Sequence, residues 1–250
     1  MNNFDIIHII INNISLLDLL KVYKFDKKIR LGSNNDGGYV IGNLNCKYDL
    51  YISAGISDEE SFSRDFIDTF NMNKINSYGF DGTISNYPYH YTQNITFIQK
   101  NINNFNDNNN TNLFDLINNY NNIFLKMDIE GCEYQWLLSL DEEKLIKFKQ
   151  IVIEFHGIIN DDYTCYYNKT CCLYKLLKTH VIIHAHGNNY DLVNNGIPNV
   201  IELTFVNKNY FTIQPELNKT KLPIIDLDFP NNPNNNDINL DFYPFTNINY

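Results

Sequence analysis

Lys126-Met127-Asp128-Ile129-Glu130-Gly131 follows the apolar run Ile123-Phe124-Leu125 and precedes Glu133-Tyr134-Gln135-Trp136-Leu137-Leu138. A short apolar run that ends in charges and a Gly reads as a buried strand over Ile123–Ile129. The residues after it have helical spacing, giving a helix over Glu133–Leu140. The same strand, turn and helix recur on both sides. Upstream, Asp49–Ile56 is an apolar strand. Phe62, Phe66, Ile67 and Phe70 then mark a helix over Glu59–Phe70 that Ser57 or Asp58 can cap. Lys74–Phe80 and Ile95–Ile98 read as strands, the Asn-rich stretch 101–112 as a loop, and Leu113–Tyr120 as a helix. Downstream, Glu142–Phe148 reads as a helix, Gln150–Phe155 as a strand and Leu173–Lys178 as a helix. Val181–Ala185 and Val200–Val206 close the series as strands.

Strands separated by helices imply a mostly parallel sheet with helices on both faces. The last two strands leave no room for a helix between them, so they should pair antiparallel. The fold class is therefore α/β, a Rossmann-like class I methyltransferase fold: seven strands, mostly parallel, with the last strand antiparallel. Residues 3–24 carry apolar positions at helical spacing, and 1–29 reads as an N-terminal helical extension. Leu31–Ile41 reads as a tight turn leading into a strand. The main domain spans 30–221, and the Pro- and Asn-rich 222–250 is an extended tail packed on it.

The chain has 250 residues with a formal net charge of -10. That acidity argues against nucleic-acid binding, which relies on Lys and Arg to neutralise phosphates. No run of apolar residues is long enough to span a membrane, and no basic segment opens the chain as in a signal peptide. Five Cys without Cys-x-x-Cys spacing suit a reducing compartment. A cytoplasmic protein, monomeric or homodimeric, is expected. The abundance of Asn and Ile suggests an AT-rich genome, such as that of a large DNA virus or a parasitic protist.

Doubly wound sheets bind ligands at the carboxyl ends of strands where strand order reverses. In the turn Ser53-Ala54-Gly55-Ile56, only the central Gly of a dinucleotide fingerprint is kept, and Asp58 would repel a pyrophosphate. A cationic ligand with no phosphate, such as S-adenosylmethionine (SAM), suits it better than NAD. The next strand ends in Phe80-Asp81-Gly82, where an acid can accept hydrogen bonds from ribose hydroxyls. Alternation puts Lys126 and Asp128 on one face of their strand, with Glu130 and Glu133 close by. Glu154 and His156 share a face of the next strand. His156 is the side chain best suited to general-base work, held by Glu154, while Asp128 orients the acceptor. His184 and His186 alternate before Gly187-Asn188-Asn189. With Asp128 they offer a metal set, but polar contacts to a hydroxylated substrate fit better, and no metal is assigned.

These pieces resemble the FkbM-like methyltransferases. The matching segments are Arg30-Leu31-Gly32 with Asp36-Gly37-Gly38-Tyr39-Val40, Ser53-Ala54-Gly55-Ile56 with Glu60-Ser61-Phe62, and Phe80-Asp81. They continue with Lys126 through Glu133, Glu154-Phe155-His156, His184 through Asn189, Pro198 through Thr204, and Leu227 through Pro233. The resemblance covers about residues 30–245. It implies the Rossmann-like fold, SAM as cofactor and O-methylation of a sugar or a hydroxylated natural product, and the acceptor expected here is a sugar hydroxyl, on a nucleotide sugar or a glycan. SAM would lie against Ser53, Ala54, Gly55, Ile56, Phe62, Phe80, Asp81, Gly82 and Asp128. Asp128, Glu130, Glu154 and His156 would serve catalysis. Asp36, Tyr39, Lys126, Glu133, His186, Asn188 and Asn189 would face the substrate. Two other readings stay open: a methyltransferase-like module that only binds, and an NAD-dependent sugar-nucleotide oxidoreductase.

Overall fold

A computed structural model of the protein describes residues 15–159 and 163–247. In chain order its elements are helix α1 (Leu16–Leu19), strands β1 (Lys28–Leu31), β2 (Tyr39–Gly42) and β3 (Leu50–Ala54), helix α2 (Ser61–Thr69), and strands β4 (Ser77–Phe80) and β5 (Thr96–Ile98). The two-residue strands β6 (Asn101–Ile102) and β7 (Asn110–Thr111) follow, then helix α3 (Phe114–Asn118), strand β8 (Ile123–Met127), and helices α4 (Glu133–Ser139) and α5 (Glu142–Leu145). The remainder is strand β9 (Phe148–Phe155), helix α6 (Tyr163–Thr179), and strands β10 (His180–Gly187), β11 (Val193–Asn194), β12 (Ile197–Pro198) and β13 (Ile201–Asn207).

Seven strands form one sheet in the order β10-β13-β9-β8-β3-β4-β5. Pairing from β9 through β8, β3 and β4 to β5 is parallel. β13 runs antiparallel to both β10 and β9. The sheet is therefore mixed: the antiparallel strand lies inside it, not at an edge. The reason is local. Only the short β11–β12 hairpin separates β10 from β13, too little for a crossover, so the chain must turn back. From β3 the chain winds outward one way through β4 and β5. It then returns to β8 on the other side of β3. The reversal between β3 and β8 is the switch point, and it faces the site.

Every residue of β3, β8 and β13 is buried, as expected of strands covered on both faces. One face packs an aromatic layer. Phe66 of α2 stacks on Tyr51 at 4.5 Å and meets Phe124 at 4.2 Å. Each such ring contributes about 1.5–3 kcal/mol by leaving water. Phe62 belongs to this layer, edge-on to Tyr39 at 5.6 Å. Ser57 and Asp58 do not cap α2. Its N-cap is Glu60, and Glu59 Oε1 accepts the Ser61 N–H at 2.7 Å instead. Ser57, at φ 50°, serves the turn.

Two further expectations are corrected. The sequence pattern predicts an N-terminal helix over 3–24. Residues 1–14 lie outside the described residues, and α1 stops at Leu19. Val22 and Tyr23 instead form strand-like bridges with Ile182 and Leu217, as suits a β-branched and an aromatic residue. The segment before Leu31 is also a strand, β1, paired antiparallel with β2. Leu19, Leu20 and Val22 share one core with Leu222, Leu240 and Phe245 of the tail. No helix among the described residues is long and apolar enough to cross a membrane.

Candidate active site

β3 and β8 end side by side, and their ends are locked together. Asp128 N–H donates to Ala54 O at 2.9 Å, and on the other side of β3 Gly55 N–H donates to Phe80 O of β4 at 3.0 Å. Gly55 has φ 79°, and a Cβ there would lie 1.5 Å from Asp128 O. No side chain fits. Glycine is required at 55 for the approach of the protein's own backbone. Lys126 Nζ donates to Gly55 O at 2.7 Å, and the ammonium lies 5.5 Å over the Tyr39 ring. Lys126 therefore braces the turn, where the sequence placed it at the substrate.

Asp81 is a second brace. Its Oδ2 accepts N–H bonds from Ile56 at 2.9 Å and Ser57 at 3.0 Å. Its Oδ1 accepts from Thr83 N–H at 2.7 Å and from the Thr83 hydroxyl at 2.6 Å. A carboxylate has about four lone-pair sites, and all are used. Burial opposes the charge of Asp81, but the Thr83 hydroxyl and these three N–H groups outweigh it and hold its pKa below the usual value. The sequence assigned Asp81 to a ribose; the geometry gives it to the turn. Beneath the turn, Ser53 donates to buried Glu60 at 2.9 Å, and Tyr87 donates to the other Glu60 oxygen at 2.8 Å. Ser53, Ala54 and Phe62 are fully covered by this arrangement and do not reach the open side. Gly82 abuts the Asn101 side chain, which its N–H contacts at 3.2 Å.

Above the switch point lies a cleft of about 540 Å³. Gly55, Ile56, Phe80, Asp81 and Asp128 line it, as the sequence led one to expect of ligand-facing residues. So do Asp36 and Tyr39. Asp58 lines it too, on the ligand side where the sequence set it against a pyrophosphate; Glu59, Asn101, Ile102 and Asn103 also line it, although the sequence did not single them out as ligand contacts. The Asn residues gave no signal because Asn is so common in the chain. Lys126 is the one cation among the described lining residues, beside six carboxylates.

At one end of the cleft the carboxylates gather round His156. Glu133 Oε1 is 3.1 Å from Nδ1. Around Nε2 stand Glu130 Oε2 at 3.4 Å, Glu154 Oε1 at 3.6 Å and Asp128 Oδ1 at 3.8 Å. Burial disfavours the imidazolium, but the Glu133 hydrogen bond and the charges of Glu133, Asp128 and Glu130 prevail, and the pKa of His156 is raised. The ring is held by Glu133, not by Glu154. Glu133 is wholly buried and also accepts Ile129 and Gly131 N–H groups at 3.3 and 3.1 Å, so it cannot touch a substrate. Glu154 is buried as well. Desolvation, then the charges of Asp128, Glu202 and Asp36, push its pKa well above the ordinary carboxylate range, against one hydrogen bond from Asn188 Nδ2 at 3.0 Å. The Tyr39 hydroxyl sits 3.4 Å from both Asp128 Oδ2 and Glu154 Oε2.

The remaining expected residues are engaged elsewhere. His184 donates Nε2–H to Asp228 at 2.8 Å, and the Lys28 ammonium lies 3.5 Å from its Nδ1. His186 contacts Glu202 at 3.3 Å and Asp237 at 3.0 Å. Asn189 ties to the carbonyls of Asn232, Asn235 and Asn236. His184, His186 and Asn189 hold the tail on the sheet, and the set of both His with Asp128 does not assemble. Comparison with curated proteins finds no match. A sequence model of the Methyltransferase FkbM domain matches residues 19–191, more than half of the chain, and the protein belongs to that family.

Proposed function

We propose that the protein is a SAM-dependent O-methyltransferase acting on a sugar hydroxyl. The observation that carries the reading is the acidic cleft at the β3–β8 switch point, ending in the His156 cluster. A sulfonium and an ammonium, both cationic, suit carboxylates better than a pyrophosphate does. The turn 54–58 and Asp128 would hold SAM, with Phe80 and Ile102 as an apolar wall. Asp81 acts by shaping the turn. When bound, SAM supplies a methyl group that an acceptor oxygen takes as the carbon–sulfur bond breaks.

The chain's own residues must then place the acceptor hydroxyl and remove its proton. Tyr39, Asp128 and Glu154 form a hydrogen-bonding set at the cleft's end. A hydroxyl docked there would pass its proton to a carboxylate of the cluster. The carboxylates around His156 raise its pKa, which disposes the ring to carry charge beside that hydroxyl more than to take its proton. Within the sugar reading, the carboxylate-rich lining favours a neutral glycan over a nucleotide sugar, whose diphosphate it would repel.

Incubating the protein with methyl-labelled SAM and a panel of neutral glycans and nucleotide sugars tests the reading. Label should enter a neutral glycan as an alkali-stable ether. Label confined to nucleotide sugars would overturn the acceptor class, and label incorporated at nitrogen would overturn O-methylation.

A further inference from the structure

We infer that Asp128, Glu130 and His156, with Glu154 behind them, form a binding site for a divalent cation of the Mn2+ type. His156 Nε2 and one carboxylate oxygen each from Asp128 and Glu130 all lie within 4.8 Å of one another. The separations from Nε2 are 3.4 Å to Glu130, 3.6 Å to Glu154 and 3.8 Å to Asp128. With bonds of about 2.1 Å, neighbouring ligands in a tetrahedral or octahedral shell stand roughly 3.0–3.4 Å apart. Contraction of these Nε2 separations by a few tenths of an ångström, within reach of side-chain adjustment, would bring them into that range.

Two further observations separate this cluster from an ordinary acidic patch. The first is the far side of the ring. His156 Nδ1 is 3.1 Å from Glu133 Oε1, on a wholly buried carboxylate. A metal-binding imidazole almost always donates its other N–H to a carboxylate or carbonyl, which fixes the tautomer and aims the free nitrogen at the ion. Glu133 does this for Nε2. The second is Asp128 Oδ1. It is shielded from solvent and has no hydrogen-bond partner among the described residues, yet it points to the space beside Nε2. A buried unsatisfied carboxylate oxygen is costly, and a cation satisfies it.

The donor set selects the ion. Three carboxylates and one imidazole are too hard for a thiolate-seeking metal. The imidazole sets Mn2+ and similar first-row ions above Ca2+. Glu130 is well exposed at the cleft's edge, so part of the shell stays open to the acceptor. The ion takes the place of the proton on Nε2 and carries the positive charge there. The cation would hold an acceptor oxygen next to Asp128 Oδ2 and the Tyr39 hydroxyl. This role rests on the methyl-transfer reading, whereas the binding site itself does not.

Manganese titration of the full chain, followed by electron paramagnetic resonance, tests the site. The signal of free Mn2+ should fall with one tight site per chain, and spin-echo spectra should show coupling to a ligated imidazole nitrogen. Glu130→Gln, at an exposed position that need not disturb folding, should weaken Mn2+ at least 10-fold. His156→Gln should abolish the nitrogen coupling. Wild-type protein that leaves the free signal unchanged would overturn the site. So would equal Mn2+ affinity in wild type and Glu130→Gln, or bound Mn2+ without nitrogen coupling. Calorimetry with SAM in EDTA keeps the two claims apart: absent SAM binding there defeats the methyl-transfer reading and leaves the manganese result standing.

Discussion

Glu133 Oε1 stands 3.1 Å from His156 Nδ1, and that contact decides which nitrogen of the ring faces the cleft. The same oxygen accepts the N–H groups of Ile129 and Gly131, so one buried carboxylate fixes both the ring and the loop that leads from β8 to α4. Glu133→Gln should therefore lower methyl transfer roughly 10–100-fold, the cost usual when an orienting partner is lost. SAM affinity should change little. The comparison is Glu154→Gln, assayed with the same labelled acceptor. Full turnover in Glu133→Gln would show that the ring is oriented by something else.

Gly55 should be the least replaceable glycine of the site. Its φ of 79° alone costs a side chain about 1–3 kcal/mol, and a Cβ would also strike Asp128 O. Gly131, at φ 99°, has open space where a Cβ would stand, with nothing within 4 Å, so it carries the conformational cost without a clash. Urea unfolding should show Gly55→Ala losing clearly more stability than Gly131→Ala. Equal losses would mean that the β3 and β8 ends can separate cheaply.

Asp81→Asn separates a turn clamp from a ligand contact. Replacing one carboxylate oxygen by an amide sets NH2 against two donors. That should cost about 1–3 kcal/mol of stability without any ligand. Thermal unfolding of the unliganded variant reads it directly. Unchanged stability with weakened SAM binding would restore Asp81 as a ribose contact.

His180 makes stability fall in mild acid. It is fully buried, with Nε2–H donated to Phe148 O at 2.9 Å and Nδ1 placed 2.7 Å from the Thr179 hydroxyl. Burial lowers its pKa to about 4. The folded state thus keeps His180 neutral where the unfolded chain is already protonated. Its contribution is whole above the unfolded value near 6.5 and is lost as pH falls through about 4. The loss amounts to roughly 3 kcal/mol. His186 acts in the opposite sense, since Glu202 and Asp237 overcome burial and raise its pKa well above the ordinary value. Urea unfolding between pH 7 and pH 4, in wild type and His180→Gln, isolates the His180 part. The variant should lose less stability than wild type across that range, and parallel curves would refute the assignment.

The seven strands of the main sheet were legible because each is a short apolar run bounded by charges, Gly or Asn. The ends were less so. Helix α6 spans Tyr163–Thr179, but only Leu173–Lys178 shows helical apolar spacing, because Asn168, Lys169 and Thr170 interrupt the pattern. The site was legible as a set of residue types but not as a set of roles. Asp128, Glu130, Glu133, Glu154 and His156 do come together. Sequence alternation cannot tell that Glu133 faces inward behind the ring while Glu130, at φ 56°, turns outward. Nor does it reveal that Asp81 spends all four acceptor positions on neighbouring donors. His184, His186 and Asn189 sit beside the site in sequence pattern, yet their partners Asp228, Asp237 and Asn232 come from the tail, a pairing no local spacing encodes.

The most direct measurement is calorimetric titration of the purified chain with SAM, repeated with S-adenosylhomocysteine and with NAD. Saturable binding of SAM and S-adenosylhomocysteine at one site per chain, lost in Gly55→Val and absent with NAD, is the predicted result. Binding of NAD without SAM, or no binding of SAM to the wild-type chain, would contradict a SAM-dependent methyltransferase built on the β3–β8 switch point.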